Sequence, residues 1–148
     1  MQVVTDIPGM IRVDIVQYKT HRKVLHHIRQ TVFVKEQNIP LALEVDALDP
    51  LSVHALALWN GTAAGTGRLT PQGRIGRVAV YPALRRRGVG REIMLRLIQI
   101  AQQQGRNSVV ISAQWQALPF YQKLGFIEQG DRYLDVGIEH IKMIKYFG

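Results

Sequence analysis

The run Val78-Ala79-Val80-Tyr81-Pro82-Ala83-Leu84-Arg85-Arg86-Arg87-Gly88-Val89-Gly90 constrains this chain more than any other stretch. Its first residues close an apolar segment, Ile75 to Tyr81, that reads as a strand. Pro82 ends it, because proline has no N–H for a ladder. From about Arg87 to Gln104 the period becomes helical: Val89, Ile93, Leu97 and Ile100 share one stripe, widened by Met94, Ile98 and Ala101. A stripe that broad packs on a sheet. Gly105 stops the helix. A strand, a tight turn and a glycine-flanked helix start therefore follow one another. The first turn of a helix has unpaired N–H groups and partial positive charge, so phosphates bind there. Gly88 and Gly90 let oxygens approach the backbone. Three arginines add permanent charge and bidentate geometry. A solvated arginine cluster ahead of a glycine helix start fits these residues as well. Other phosphate loops fit poorly: there is no G-x-x-x-x-G-K-[ST], and no G-x-G-x-x-G follows a strand.

The remaining segments set the fold class. Ile11, Val13 and Ile15 alternate with Arg12 and Asp14, a strand signal. Thr20 is the expected cap of a helix bearing Val24, Ile28 and Val32 on one face. Gln37 to Pro50, with two prolines and three acids, reads as a loop. Val53–Trp59 and Thr62–Leu69 are strands joined at Asn60-Gly61, a pair suited to the positive φ of a tight hairpin. Val109 to Ser112 is a short apolar strand. Pro119 opens a short helix through Leu124, stopped by Gly125. Two final strands, near Phe126 to Val136 and Ile138 to Tyr146, flank a Gly137 turn. The order β, α, loop, β-β-β, α, β, α, β-β predicts an α/β chain of the α+β type, with helices covering a largely antiparallel sheet. At 148 residues, without repeats or linkers, residues 1–148 form one expected domain.

Charge and composition narrow the function. Glu36 to Gly67 holds Glu36, Glu44, Asp46 and Asp49 and no Lys or Arg, a local charge of −4. Arg68 to Arg96 holds eight arginines against Glu92, a local charge of +7 in a chain of net +8. A basic chain suits nucleic acid. Only Tyr81 lies among those arginines, however, so no stacking set supports that partner. With no cysteine, disulfides, Cys-ligated zinc, Fe–S clusters and a thiol nucleophile are all excluded. His21, His26 and His27 have no metal-ligand spacing. No apolar run approaches ~18 residues, so no membrane helix is expected. Met1 to Met10, with Asp6 and Pro8, is not a secretory signal. A cytoplasmic location is the expectation.

The strand–turn–helix resembles the cofactor loop of the GNAT superfamily of acyl-CoA N-acyltransferases, [Q/R]-x-x-G-x-[G/A], with Arg85, Gly88 and Gly90 at the matching positions. Pro119-Phe120-Tyr121-Gln122-Lys123-Leu124-Gly125-Phe126 resembles that family's Y-x-K-x-G-F segment. Val32-Phe33-Val34-Lys35-Glu36-Gln37, followed by Pro40, Glu44, Asp46, Asp49 and His54, is similar to the small ElaA-like and YjcF-like branch. So is Gly137-Ile138-Glu139-His140-Ile141-Lys142-Met143. The likeness runs from about Thr31 to Met143. Many members carry Asn seven residues before the tyrosine, where this chain has Gln114.

The resemblance implies a mixed sheet in which acetyl-CoA lies between two splayed parallel strands, Ile75–Tyr81 and Val109–Ser112. The backbone of Val78 and Val80 would pair with the pantetheine arm. N–H groups of Arg86, Arg87, Gly88, Val89 and Gly90 would hold the pyrophosphate, with Arg85 and Gln114 completing the cofactor site. The reaction implied is acetyl transfer to a primary amine of a small molecule or peptide, in a ternary complex. An amine of pKa ~10.4 is neutral in about one molecule per 10³ at pH 7, so a base must take its proton. Tyr121 is the expected donor to the departing thiolate. For the base, Glu36 and His54 stand first among Glu36, Glu44, Asp46, Asp49, His54 and His140. Glu44, Asp46, Asp49 and His140 are the expected acceptor-binding residues, the acids by attraction for a cationic amine. No metal, nucleic acid or membrane partner is expected. The residues are silent on assembly, although many members of the family form homodimers.

Overall fold

A computed structural model describes residues 9–148. Among these residues, seven strands make two half-sheets, and four α-helices accompany them. Strands β1 (Ile11–Val16), β2 (Val53–Trp59), β3 (Thr62–Leu69) and β4 (Ile75–Val80) form an antiparallel meander in that order. Strands β5 (Ser108–Gln114), β6 (Ile127–Asp135) and β7 (Ile138–Tyr146) form the second half-sheet, ordered β5-β7-β6. The halves join at one parallel bridge, Arg74 to Val110, with Val110 N–H donating to the Gly73 carbonyl at 3.1 Å. Beyond it β4 and β5 diverge, and the sheet opens as a V.

Alternation on β2 sorts the two layers. Ala55 and Ala57 face helix α3 (Val89–Gln103), while Leu56 faces helix α1 (Tyr18–Arg29) across the sheet. The stripe Val89, Ile93, Leu97 is buried as its spacing requires, along with Met94, Ile98 and Ala101. Small residues on β3 set the depth of that packing. A Cβ at Gly67 would lie 2.7 Å from Ile93 Cγ2, so glycine there lets α3 settle onto the sheet.

Local differences from the sequence reading have physical causes. Helix α1 starts at Tyr18, capped by Gln17; Thr20 lies inside it and its hydroxyl donates to the Gln17 carbonyl at 3.3 Å. The helix then widens into a π-helical stretch, Gln30–Glu36. The expected loop from Gln37 to Pro50 contains helix α2 (Leu41–Glu44) and a 3-10 turn at Asp49–Leu51. Helix α3 begins two residues later than expected, because Arg86 and Gly88 have φ of 63° and 88° and so lie outside the right-handed helix. The Asn60-Gly61 hairpin has positive φ at both residues, as its sequence demands. Val136-Gly137 makes the corresponding turn between β6 and β7, with φ of 51° at a β-branched residue. Helix α4 (Leu118–Lys123) follows β5 and carries Tyr121.

Candidate active site

The V opens onto a cleft of about 400 Å³. Its walls come from β4 (Arg77, Val78), β5 (Gln114), α4 (Tyr121), the β6–β7 hairpin (Asp135, His140) and the segment that includes α2. Strand β4 bulges here. Its register against β3 shifts between Thr66 and Arg68, and Arg77 has φ of 51°. The bulge takes Val78 out of ladder pairing and turns Arg77 toward the cleft.

Past Val78, strand β4 runs on into the turn before α3, whose own residues do not line the cleft. The backbone N–H groups of Arg86, Arg87, Gly88, Val89 and Gly90 meet no acceptor among the described residues. A Cβ at Gly90 would have ordinary contacts, the nearest Phe120 at 3.6 Å. Gly88 is needed for its left-handed φ. The Arg85 side chain is already engaged. Its guanidinium holds both Glu36 oxygens, at 2.5 and 2.6 Å, and its Nε donates to the Val80 carbonyl at 3.1 Å. The residue matched to the cofactor motif therefore ties the turn to the end of the π-helical segment.

Glu36 is corrected by the same contact. The Arg85 hydrogen bonds hold its carboxyl below the usual carboxylate range, and it lies outside the cleft. The other acids of the −4 segment are engaged likewise. Asp46 is bonded by Arg68 and lies beside Arg77, which sets its carboxyl at about 2. Burial would raise Asp49, but bonds from Arg29 and Arg68 outweigh it and keep the carboxyl low. Glu44 is buried against Arg29 and accepts from His26 Nδ1 at 2.8 Å. It reaches the cleft wall, but with both neighbours in place. Asp46 and Asp49 do not line the cleft, so the expected cation-attracting set is instead a charge-compensated seam beneath it.

His54 is also corrected. It is 1% exposed, outside the cleft, stacked on Tyr18, and bonded through Nε2 to the Asp49 carbonyl at 2.7 Å. Burial lowers its pKa, so it is held neutral as a structural histidine. The Gln114 side chain is occupied: its amide donates to Gln37 at 2.8 Å and its oxygen accepts from Gln116 at 2.8 Å.

Tyr121 and His140 do share the cleft. The Tyr121 ring packs edge-on against Phe120 and Phe126, and burial pushes its phenol up to about 12. His140 sits across the ladder from Gln114 and Tyr133. Its Nδ1 donates to the Ile138 carbonyl at 2.7 Å.

Sequence reasoning missed Arg29, Arg77 and Asp135. Arg29 had a signal: it lies on the same helical stripe as Leu25, Ile28 and Val32, where a charge must find partners. Arg77 had none, since a bulge inside an apolar strand leaves no local mark. Asp135 is the one charged cleft residue without an ion-pair partner among the described residues.

Known proteins share this fold. The chain matches the acetyltransferase (GNAT) domain family over residues 18–147. It is 37% identical over 123 residues to a Bacillus subtilis protein described as uncharacterized N-acetyltransferase YjcF, covering 80% of this chain and 88% of that one. Among solved structures, Escherichia coli ElaA superposes with a TM-score of 0.82 at 28% identity, covering 92% and 99% of the two chains. An acyl-CoA N-acyltransferase from Pseudomonas aeruginosa does so with 0.81 at 30% identity, covering 92% and 99%. With the V-shaped sheet, the glycine-bearing turn and the Y-x-K-x-G-F segment, the chain belongs to the GNAT acetyltransferases, in the small branch that holds YjcF and ElaA.

Proposed function

We propose that this protein is an acetyl-CoA-dependent N-acetyltransferase acting on a primary amine of a small molecule or peptide, by direct attack in a ternary complex. The observation that carries the reading is the row of five backbone N–H groups, residues 86–90, left without acceptors where the V meets α3. That row suits a pyrophosphate. The edge of β4 at Val78 and the Val80 N–H, with the Val80 carbonyl taken by Arg85, suits the amide-bearing pantetheine arm, which would bring the thioester to Tyr121. The amine enters through the cleft, and the electrophilic carbon passes from sulfur to nitrogen without a protein acyl intermediate.

Tyr121 acts on the leaving sulfur. A thiol has a pKa near ~8.5. Against a phenol at about 12, full proton transfer to the thiolate is uphill by roughly 5 kcal/mol. A neutral phenol that donates a hydrogen bond as negative charge develops on sulfur is the lower-energy role.

The paired acids remove the electrostatic reason to favour a polycationic acceptor. They also weaken the nucleic-acid alternative, because Arg68, Arg77 and Arg85 are engaged by Asp46, Asp49 and Glu36. The test is thermal shift with acetyl-, propionyl- and longer acyl-CoAs. At 100-fold excess over Kd, binding adds about 2.7 kcal/mol, or about 5–10 °C for a chain of this size. Thiol release with an amine panel follows. No shift with any acyl-CoA would overturn the proposal. A shift without thiol release across the panel would favour a non-catalytic CoA-binding module.

A further inference from the structure

We propose that His140 takes the proton from the acceptor amine, as the general base of the acyl transfer proposed above, on which this inference rests. Six residues are candidates from the sequence, and the structure separates them; a seventh carboxylate in the cleft, Asp135, is exposed and no side-chain hydrogen bond among the described residues fixes it. Glu36, Asp46 and Asp49 lie outside the cleft and are bonded to arginines. Glu44 reaches the cleft, but Arg29 and His26 occupy its carboxylate. His54 is enclosed in the core. His140 remains, on the cleft wall with Tyr121.

Its protonation geometry suits a base. A backbone carbonyl can only accept, so the Ile138 contact puts the proton of neutral His140 on Nδ1. The lone pair is then on Nε2, which has no partner among the described residues. The ring is nearly parallel to that of Tyr133, at 5.9 Å between centroids, and this stacking fixes the imidazole plane. Tyr133 is itself anchored by a hydrogen bond to Ser112. Donor and stack together hold one tautomer in one orientation, as a positioned base requires.

The surrounding charges are compatible with this role. Strand β5 contributes no titratable group. From β6 come Tyr133, Asp135 and Arg132, and Arg132 pairs with Glu139 of β7 at 3.5 Å. Lys142 on β7 is exposed. Across the cleft stand Tyr121, Glu44 and Arg77, the last two with partners of their own. The cleft charge without an ion-pair partner among the described residues, Asp135, is opposite in sign to an imidazolium.

The step balances as follows. The ammonium gives one proton to His140 Nε2, and the freed nitrogen pair attacks the thioester carbonyl. The C–S bond breaks and the pair leaves on sulfur, stabilised by the Tyr121 hydroxyl. The second nitrogen proton ends on that sulfur, giving amide and free thiol, and the imidazolium releases its proton to solvent.

The test uses the full chain with acetyl-CoA and two amine probes: butylamine, which is protonated at neutral pH, and methoxyamine, which is not. In H140N the amide can keep the donor to Ile138, but Nε2 is lost. With butylamine at pH 7, kcat/KM should fall about 10²-fold or more, within the usual worth of a general base. With methoxyamine the fall should be less than about tenfold, because no ammonium proton has to leave. The acetyl-CoA thermal shift should be unchanged, and added imidazole should restore butylamine turnover in H140A. Equal losses with both amines, or a butylamine rate within about threefold of the unaltered protein, would overturn the assignment. A missing acetyl-CoA shift in the unaltered protein would instead overturn the parent reading.

Discussion

Tyr121→Phe isolates one atom of the proposed chemistry. The ring stays in its edge-on packing with Phe120 and Phe126, and the hydroxyl it loses makes no hydrogen bond within the described residues. Melting temperature and acetyl-CoA binding should therefore hardly move. Turnover should. A hydrogen bond to a charged group contributes about 1.5–3 kcal/mol net, and at 1.36 kcal/mol per decade its loss from the thiolate lowers kcat about 10- to 150-fold. Because burial holds the phenol at about 12, Tyr121 should contribute no fall in kcat below about pH 11. The assay is continuous thiol release at saturating amine and acetyl-CoA, from pH 6 to the highest pH at which the fold persists. A kcat in Tyr121→Phe within about twofold of the unaltered protein would remove the hydroxyl from the mechanism. A basic limb in the unaltered enzyme near pH 9, lost in the variant, would refute the hydrogen-bonding role and favour full proton transfer.

Other perturbations reach different parts of the structure. Glu36→Gln loosens the Arg85 tie to the cofactor turn; a partly exposed pair contributes up to ~1 kcal/mol, so acetyl-CoA Kd should rise about two- to fivefold, by calorimetric titration, with kcat at saturation kept. Asp46, set at about 2 by Arg68, adds stability that is present above its unfolded value near ~3.8 and lost as pH falls toward 2. The shift corresponds to about 2 kcal/mol, discounted to ~1 for partial exposure, and urea midpoints between pH 5 and 2 should decline less steeply in Asp46→Asn. Arg29→Met leaves Glu44 and Asp49 buried without their main cation and should cost about 3–5 kcal/mol in urea unfolding. If acetyl-CoA binds beside Arg86 and Arg87 as proposed, salt should raise its KM more than that of the amine; the reverse order would show that the acidic seam is not neutralised.

Local regularities carried most of the fold. The α3 stripe, the Asn60-Gly61 hairpin and the proline after β4 each report on neighbours within a few residues, so their structures follow from spacing. The strand–turn–helix into α3 was legible for the same reason: its glycines and its helix start are contiguous. The interior of the site was not. Glu36 finds Arg85 across 49 positions, Asp46 finds Arg68 across 22, and Arg29 finds Asp49 across 20. No periodicity encodes such pairings, and they decide which acids are free. His140 and His54 look alike in sequence, each in an apolar strand. What separates them is whether the β-sheet face they occupy meets the cleft or the α1 layer, and that depends on how the two half-sheets join.

The pairing changes what the charge distribution means. A segment of −4 beside one of +7 reads as two opposed recognition surfaces, one for a cationic acceptor and one for an anionic cofactor. Folded, all four acids close on arginines, three of them drawn from the basic stretch and one from α1. Glu44 and Asp49 go into a buried seam, edged by the partly exposed Asp46, that fixes the α2 segment against β3 and β4, while Glu36 closes on Arg85 at the surface. Buried ion pairs are a weak source of net stability, because desolvation offsets their attraction. They are demanding about geometry, however, since a misplaced member leaves a bare charge in the interior. A seam of this kind holds the cleft wall, with Leu43 and Glu44, in one register against Arg77 and Val78. On the proposed reading, cofactor attraction is then left to Arg86 and Arg87 at the α3 turn, and acceptor choice to the shape of the cleft and to Asp135 and His140.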